Sequence, residues 1–372
     1  MKMKDIVEIR HLLHDHPDVS GCECFAHDLV VSELISLNPD QLYTHVGGNG
    51  VVAFWQSPSG SDRTLAFRAD TDALPIGHRC GHDGHTSIML EFARHIAAVH
   101  RPYNVLLVFQ PEEETGMGAR KIVESGLLQK HHATVIFGLH NLPGYPLGTV
   151  VLNRGTFAAA SSGVIFSLKG RETHASTPEK GINPGLAVAE IIQRFAALNT
   201  SSNSMCDIPQ SGSHLTDSFR QSTLICCRVG EEAFGTSAGN AQLMFTLRAF
   251  SNKAMESLMN EAYSIVDDIA RREGLAVGRS VREPFAATEN TPELVDKLQA
   301  IMQHRTPLVT TNVPFRWSED FAEYLKVLPG AFFGIGSGEH QPELHHPHYD
   351  FPDALIAPAA SCFDLILNNI VL

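Results

Sequence analysis

Four short, almost wholly apolar runs set what this chain can fold into: Val51-Val52-Ala53-Phe54-Trp55, Thr64-Leu65-Ala66-Phe67-Arg68, Asn104-Val105-Leu106-Leu107-Val108-Phe109 and Ala133-Thr134-Val135-Ile136-Phe137-Gly138-Leu139. Each has the length of a strand rather than a helix. Helical spacing lies between them, over Thr86 to Ile96 and over residues 117–129. Buried strands alternating with helices predict an α/β fold, a mostly parallel sheet with helices on both faces. In such sheets ligands bind beyond the carboxyl ends of the strands. Here one strand runs into Asp70-Thr71-Asp72, another into Glu112-Glu113-Glu114 and another into His140. Any one of these is unremarkable as a solvated loop group; three in one register point to a metal site.

The stretch His78-Arg79-Cys80-Gly81-His82-Asp83-Gly84-His85 strengthens that expectation. Thiolate and imidazole are ligands that zinc and similar borderline-soft ions prefer. In an extended loop Cys80 and His82, two residues apart, point the same way and can grip one ion. Gly81 and Gly84 allow a sharp turn and close backbone approach. Upstream, apolar residues at helical spacing (Ile6, Ile9, Leu12, Leu13, then Leu29, Val30, Leu34, Ile35) predict two helices separated at Pro17, and Gly47-Gly48-Asn49-Gly50 predicts a turn.

From about residue 156 the pattern changes. Strands are predicted at 163–168, 222–229, 241–250 and 275–281, with helices at 184–198 and 255–272, the second stopped by Gly274. The order β-α-β-β-α-β is ferredoxin-like. A Ser-rich polar stretch at 199–220 reads as a loop. After it the first pattern resumes, with a helix from Thr291-Pro292 and a core strand at Ala331–Ile335. The expected organisation is a catalytic domain in two parts, 1–155 and 283–372, with a lid and dimerisation domain, 156–282, inserted between them.

A chain of 372 residues suits two domains. Its net charge of −13 argues against nucleic acid or an anionic membrane as partner. No apolar run is long enough to span a bilayer, and the charged start has no signal-peptide core. Seven scattered cysteines do not form a disulfide framework, so a cytoplasmic location is expected. Cys22 and Cys24 have no ligand cluster nearby in sequence and read as ordinary thiols.

The ordered motifs resemble the M20 metallopeptidases, and within them the amidohydrolase branch that includes hippurate, N-acyl-amino-acid and auxin-conjugate amidohydrolases. The resemblance is carried by Leu13-His14-Asp15-His16-Pro17 with Ser20, Arg68 to Pro75, Arg79 to His85, Phe109 to Glu114, Phe137 to His140, Ser318-Glu319-Asp320-Phe321, and Leu344 to Phe351. It implies two divalent ions at the strand ends, zinc or manganese, with cobalt or nickel as further possibilities. It implies Cys80, His82, Glu114, His140 and His345 as ligands and Glu113 as general base. Neighbours on a strand point to opposite sides, which suits one glutamate binding metal while the other faces water. His346 and His348 compete with His345, which the Leu344 and Pro347 register favours. Asp72 and Asp83 are expected to orient ligands. His174 matches a lid histidine that donates to the scissile carbonyl oxygen, in several members from the partner subunit. Asn240 and Arg248 match lid residues that bind a substrate carboxylate.

The chain departs from the family pattern in a short connection from Ile76 to His78, in the short span from Asn240 to Arg248, and in Glu112, where a small residue is common. None removes a ligand or the base. The resemblance implies a homodimeric metalloamidohydrolase acting on an N-acyl amino acid or small conjugate. A metallo-dipeptidase or aminopeptidase of the same fold, a non-catalytic metal-binding scaffold, and a thiol enzyme using Cys80 are the rivals.

Overall fold

The computed structural model describes residues 4–200 and 219–372. They form two compact units. The first runs to Phe157 and takes in Thr288–Asn312 and Glu319–Leu372; the second lies between Ala158 and Ala287 and is joined by Val313–Ser318. Most of the polar stretch expected as a loop at 199–220 lies outside the described residues.

Helices α1 (Ile6–Asp15) and α2 (Cys24–Ser36) lead to a hairpin of β1 (Gln41–Val46) and β2 (Gly50–Trp55). Then come β3 (Thr64–Asp70), α3 (His82–Ala98), β4 (Asn104–Gln110), α4 (Gly118–Glu124), α5 (Leu127–Lys130), β5 (Ala133–Pro143) and β6 (Val150–Asn153). The second unit carries β7 (Ala160–Lys169), β8 (Thr173–His174), α6 (Gly185–Ala196), β9 (Arg220–Val229), β10 (Thr236–Ser237), β11 (Asn240–Ala249), α7 (Asn252–Glu273) and β12 (Ala276–Phe285). The first unit resumes with α8 (Pro292–Met302), β13 (Leu308–Thr311), α9 (Ala322–Leu325), β14 (Gly330–Gly338) and α10 (Ile356–Asn369).

The large sheet has the order β1-β2-β4-β3-β5-β14-β6-β13. Its centre, β4-β3-β5-β14, is parallel, while β2 and β6 run antiparallel to their central neighbours. Every residue of β3 and β4 is buried, so both faces are covered, as their unbroken apolar runs require. Phe67, Phe92 and Phe363 pack edge-on or tilted at the centre of one face, joining the sheet to α3 and α10. Register then brings the strand ends level. Asp70 of β3 pairs with Gln110 of β4, and Arg68 pairs with Gly138, two residues before His140.

Two local features differ from the sequence reading. Helix α3 starts at His82, not Thr86. Gly81 takes φ +94°, a left-handed cap that turns the chain into the helix. The first turn is polar, His82-Asp83-Gly84-His85, and a hydrophobic pattern cannot register it although it is buried. The helix expected over 117–129 is divided by Gly126 at φ +72°.

The second unit has a four-stranded sheet of order β12-β7-β11-β9, antiparallel throughout. With α6 and α7 supplying Ile191, Phe195, Leu258, Val266 and Ile269 to its core, this is the ferredoxin-like arrangement. A short ribbon pairs β8 with β10. Among the described residues no helix is long and apolar enough to cross a membrane.

Candidate metal centre

The site lies at the carboxyl ends of β3, β4 and β5. Cys80, His82 and Glu114 place one ligand atom each within 4.8 Å of one another, as do His82, His85 and His140. Cys80 and His82 do not meet as neighbours in an extended loop: His82 is the first residue of α3, and the left-handed Gly81 swings it back beside Cys80. A side chain at Gly81 would also strike the Asn141 amide, its Cβ falling 2.6 Å from Oδ1.

Hydrogen bonds assign the histidine nitrogens. His82 Nδ1 donates to the Asp72 carbonyl oxygen at 3.0 Å, and His140 Nδ1 donates to the Asn141 carbonyl oxygen at 2.9 Å. Each ring therefore carries its proton on Nδ1 and offers Nε2. The buried His82 Nε2 makes no hydrogen bond and lies 4.0 Å from Glu114 Oε1. His345 Nε2 is 3.6 Å from the same oxygen. By contrast His85 uses both nitrogens, Nδ1 with Asp70 Oδ1 at 2.6 Å and Nε2 with Asn141 Oδ1 at 2.5 Å, leaving none for an ion. His346 and His348 turn toward each other, the His348 N–H donating to His346 Nδ1 at 3.2 Å.

The donor set fits a divalent ion: a buried thiol, a carboxylate, and imidazoles that include the unpartnered buried Nε2 of His82. Without an ion, burial pushes the Cys80 thiol up to about 12 and the Glu114 carboxyl up to about 7. Divalent charge reverses both tendencies.

Glu113 points elsewhere. It is buried beside Glu319 and Asp320, and the Asp320 N–H approaches its Oε1 at 3.4 Å. Burial, reinforced by Glu319 and Glu114, holds its carboxyl well above the usual range. Behind it lies Arg68, fully buried. Its guanidinium donates to Asp70 Oδ2 at 2.6 Å, Gln110 Oε1 at 2.8 Å and Asp320 Oδ1 at 2.8 Å, and meets Glu319 Oε1 at 2.8 Å. One planar cation thus holds the acidic wall together. Arg68, Asp70, His85, Glu319 and Asp320 lie within the sequence motifs, but the motifs alone assign them no role. An arginine ending an otherwise apolar strand was the available signal.

Asp72 bridges two candidate ligands: its carbonyl fixes His82, and its Oδ2 accepts the Glu114 N–H at 3.1 Å and the Ser20 hydroxyl at 2.7 Å. Asp83 differs from expectation. Its Oδ2 faces Arg10 Nε at 3.0 Å and His14 Nδ1 at 2.8 Å, so it ties α3 to α1 rather than touching a ligand.

In the second unit His174 is exposed on β8, paired with Thr236. Its Nδ1 accepts the Ser176 N–H at 3.1 Å, which puts the ring proton on Nε2. Arg248 donates to the Arg316 carbonyl oxygen at 2.8 Å and Ser318 Oγ at 3.0 Å and has no carboxylate partner among the described residues. Asn240 and Arg248 stand at opposite ends of the regular strand β11. Eight residues of strand span about 26 Å. Within one chain the two cannot both hold one small carboxylate. The short span from Asn240 to Arg248 is regular strand throughout, with no turn in it.

The family model described as Peptidase family M20/M25/M40 matches residues 66–369. An "uncharacterized hydrolase" of Staphylococcus haemolyticus is 26% identical over 396 residues, covering 99% of this chain and 98% of that one. Among solved structures, the YXEP protein of Bacillus subtilis, described as a dinuclear metal binding peptidase from the M20 family, superposes with TM-score 0.81 at 22% identity over 98% of each chain. The aminobenzoyl-glutamate utilization protein of Klebsiella pneumoniae gives 0.72 at 21% identity, over 98% of this chain and 96% of that one. At those identities the two structures speak for the fold. Set beside strand ends that gather a thiol, two oriented imidazoles and paired glutamates, the family match over most of the sequence settles the assignment: this chain is a hydrolase of the M20 peptidase family.

Proposed function

We propose that this protein is a metal-dependent amidohydrolase that cleaves the amide bond of an N-acyl amino acid or a similar small conjugate, releasing a carboxylate and a free amino group. The observation that carries the reading is the divergence of Glu113 and Glu114. Glu114 faces Cys80, His82 and His345, while Glu113 faces an acidic wall of Glu319 and Asp320, with no histidine or thiol grouped with it among the described residues. Cys80, His82, Glu114, His140 and His345 would hold two divalent ions, zinc or manganese. When bound, the ions polarise an amide oxygen, make a water acidic near neutral pH and draw the raised Glu113 carboxyl toward its ionised form.

Glu113 takes the proton from the attacking water and passes it to the leaving amine. His174, with its proton on Nε2, donates to the developing oxyanion. Arg248, free of acidic partners among the described residues, suits the substrate carboxylate; Asn240 is not carried into that role. Asp72 orients His82 and Glu114. The six described cysteines are unpaired, in keeping with the reducing cytoplasm we assign.

The test is elemental analysis of the purified protein together with turnover on a panel of N-acyl amino acids, dipeptides and tripeptides. Hydrolysis of the N-acyl amino acids is expected to dominate; preference for peptides with a free amino group would assign the peptidase reading instead. In the same assay Glu113→Gln keeps shape but accepts no proton. Its turnover should fall by at least about two orders of magnitude with metal content unchanged. Near-normal turnover would overturn its role as base.

A further inference from the structure

The two adjacent glutamates need a backbone that holds them apart, and the residue before them shows how it is held. Glu112 takes φ +55°, the left-handed region that a non-glycine residue enters only when its surroundings fix it. Contacts at its carbonyl, its carboxylate and its N–H do so. Its carbonyl oxygen accepts the N–H groups of Met117 at 3.3 Å and Gly118 at 3.2 Å. Its carboxylate meets Lys121 Nζ at 2.5 Å. Its N–H donates to Oε1 of Glu23 at 3.0 Å.

The contact at the N–H reaches across 89 residues to a side chain with no solvent exposure. Glu23 belongs to the turn that follows His14-Asp15-His16-Pro17, a motif to which the reaction assigns nothing. Its Oε1 also accepts the Gly21 N–H at 2.6 Å, and its Oε2 faces Asn49 Nδ2 at 3.5 Å. From the same turn Ser20 donates to Asp72 Oδ2 at 2.7 Å, the oxygen that accepts the Glu114 N–H. One turn, Ser20 to Glu23, thus governs the backbone N–H on each side of Glu113, directly at Glu112 and through Asp72 at Glu114. A fully buried carboxylate is costly unless it is used, and here its use is to fix that turn.

We infer that Glu23 is a positioning residue for Glu113: by accepting the Glu112 N–H it locks the left-handed turn that aims Glu113 and Glu114 in different directions. This rests on the reading of Glu113 as the base. Glu23 touches no substrate; its effect on rate passes through the backbone of 112–114. Small displacements of a reacting group cost rate far more than they cost binding.

Two variants of similar size separate the roles. Glu23→Gln keeps an oxygen acceptor and loses the charge. Glu23→Met fills the same space with no oxygen to offer. Each is compared with the parent in kcat, KM, bound metal, and amide hydrogen exchange of the 110–118 segment in metal-free protein. Glu23→Met is expected to lower kcat by roughly ten- to a hundredfold, with KM within about twofold and metal content retained, and to speed exchange in that segment. Glu23→Gln should stay near the parent in all four. Equal losses in the two variants, or unchanged exchange and kcat in Glu23→Met, would overturn the inference. Glu113→Gln runs alongside: if it stays active the base assignment fails, while the exchange readout still decides whether Glu23 holds the turn.

Discussion

At the scale of single residues, two candidate ligands hold their protons more firmly because they are buried. Burial pushes the Cys80 thiol up to about 12 and Glu114 up to about 7. Metal and proton compete for both, so the sign is fixed: apparent affinity for a divalent ion should rise as pH rises from about 6 to about 8. Loading the metal-free protein near neutral pH should release about one proton or more per chain. Calorimetry in buffers of different ionisation enthalpy checks this; heats that do not depend on the buffer would remove Cys80 from the ligand set. Within the histidine run, the 3.6 Å approach of His345 Nε2 to Glu114 predicts that His345→Ala loses metal and His346→Ala does not. These candidate ligands were legible because short motifs carry them with their chemistry. The residues that hold them were not. Arg68 meets Asp320 across 252 residues, and Arg10 meets Asp83 between two helices. Nothing local in the sequence announces such a partner.

At the scale of elements, α3 is fixed at its first turn from several sides. Asp83 ties it to Arg10 and His14 of α1, and His85 ties it to Asp70 of β3. Gly84 leaves room for Phe351, whose ring atoms lie 2.3–2.4 Å from where a Cβ would stand. Gly84→Ala must therefore move a buried ring or the helix that carries His82. Overpacking of this kind costs roughly 1–3 kcal/mol. The variant should unfold at lower denaturant and retain less metal than the parent. Gly155→Ala, whose Cβ would meet nothing closer than 3.9 Å, should stay near the parent in both measurements. Elements with a strong period were readable from sequence: β2 to β5, the helix–strand alternation and the ferredoxin-like order. Short or mixed ones were not. β1 is a half-exposed edge with polar Gln41, Thr44 and His45, and β6 and β13 have four residues each. Helix α10 carries Pro358 in its first turn, where proline is tolerated but reads as a break.

At the scale of the whole molecule, the sheet of the second unit has an open edge among the described residues. β9 lies outermost, and Leu224 and Ile225 are 41% and 60% exposed on it, with Val229 beyond. An edge strand with exposed apolar side chains pairs readily with another chain unless it is covered. Two-fold pairing with a second copy is the simplest closed way to cover it. The protein is therefore expected to be a dimer, and Ile225→Lys should shift it toward monomers in analytical ultracentrifugation. If His174 serves the site of the neighbouring chain, subunits disabled in different places should complement each other. Glu113→Gln chains lack a base but keep the histidine; His174→Ala chains lack the oxyanion donor but keep the base. A mixed dimer then has one site with both defects and one with neither. Random mixing makes half the dimers mixed, and half the sites in each are intact, so activity should recover to about a quarter of the parent level, two inactive preparations giving an active one. Differentially tagged mixed dimers that stay inactive would show that His174 acts within its own chain or not at all. Adding Ile225→Lys to both partners should abolish the recovery, tying it to the β9 edge and not to exchange of metal between preparations.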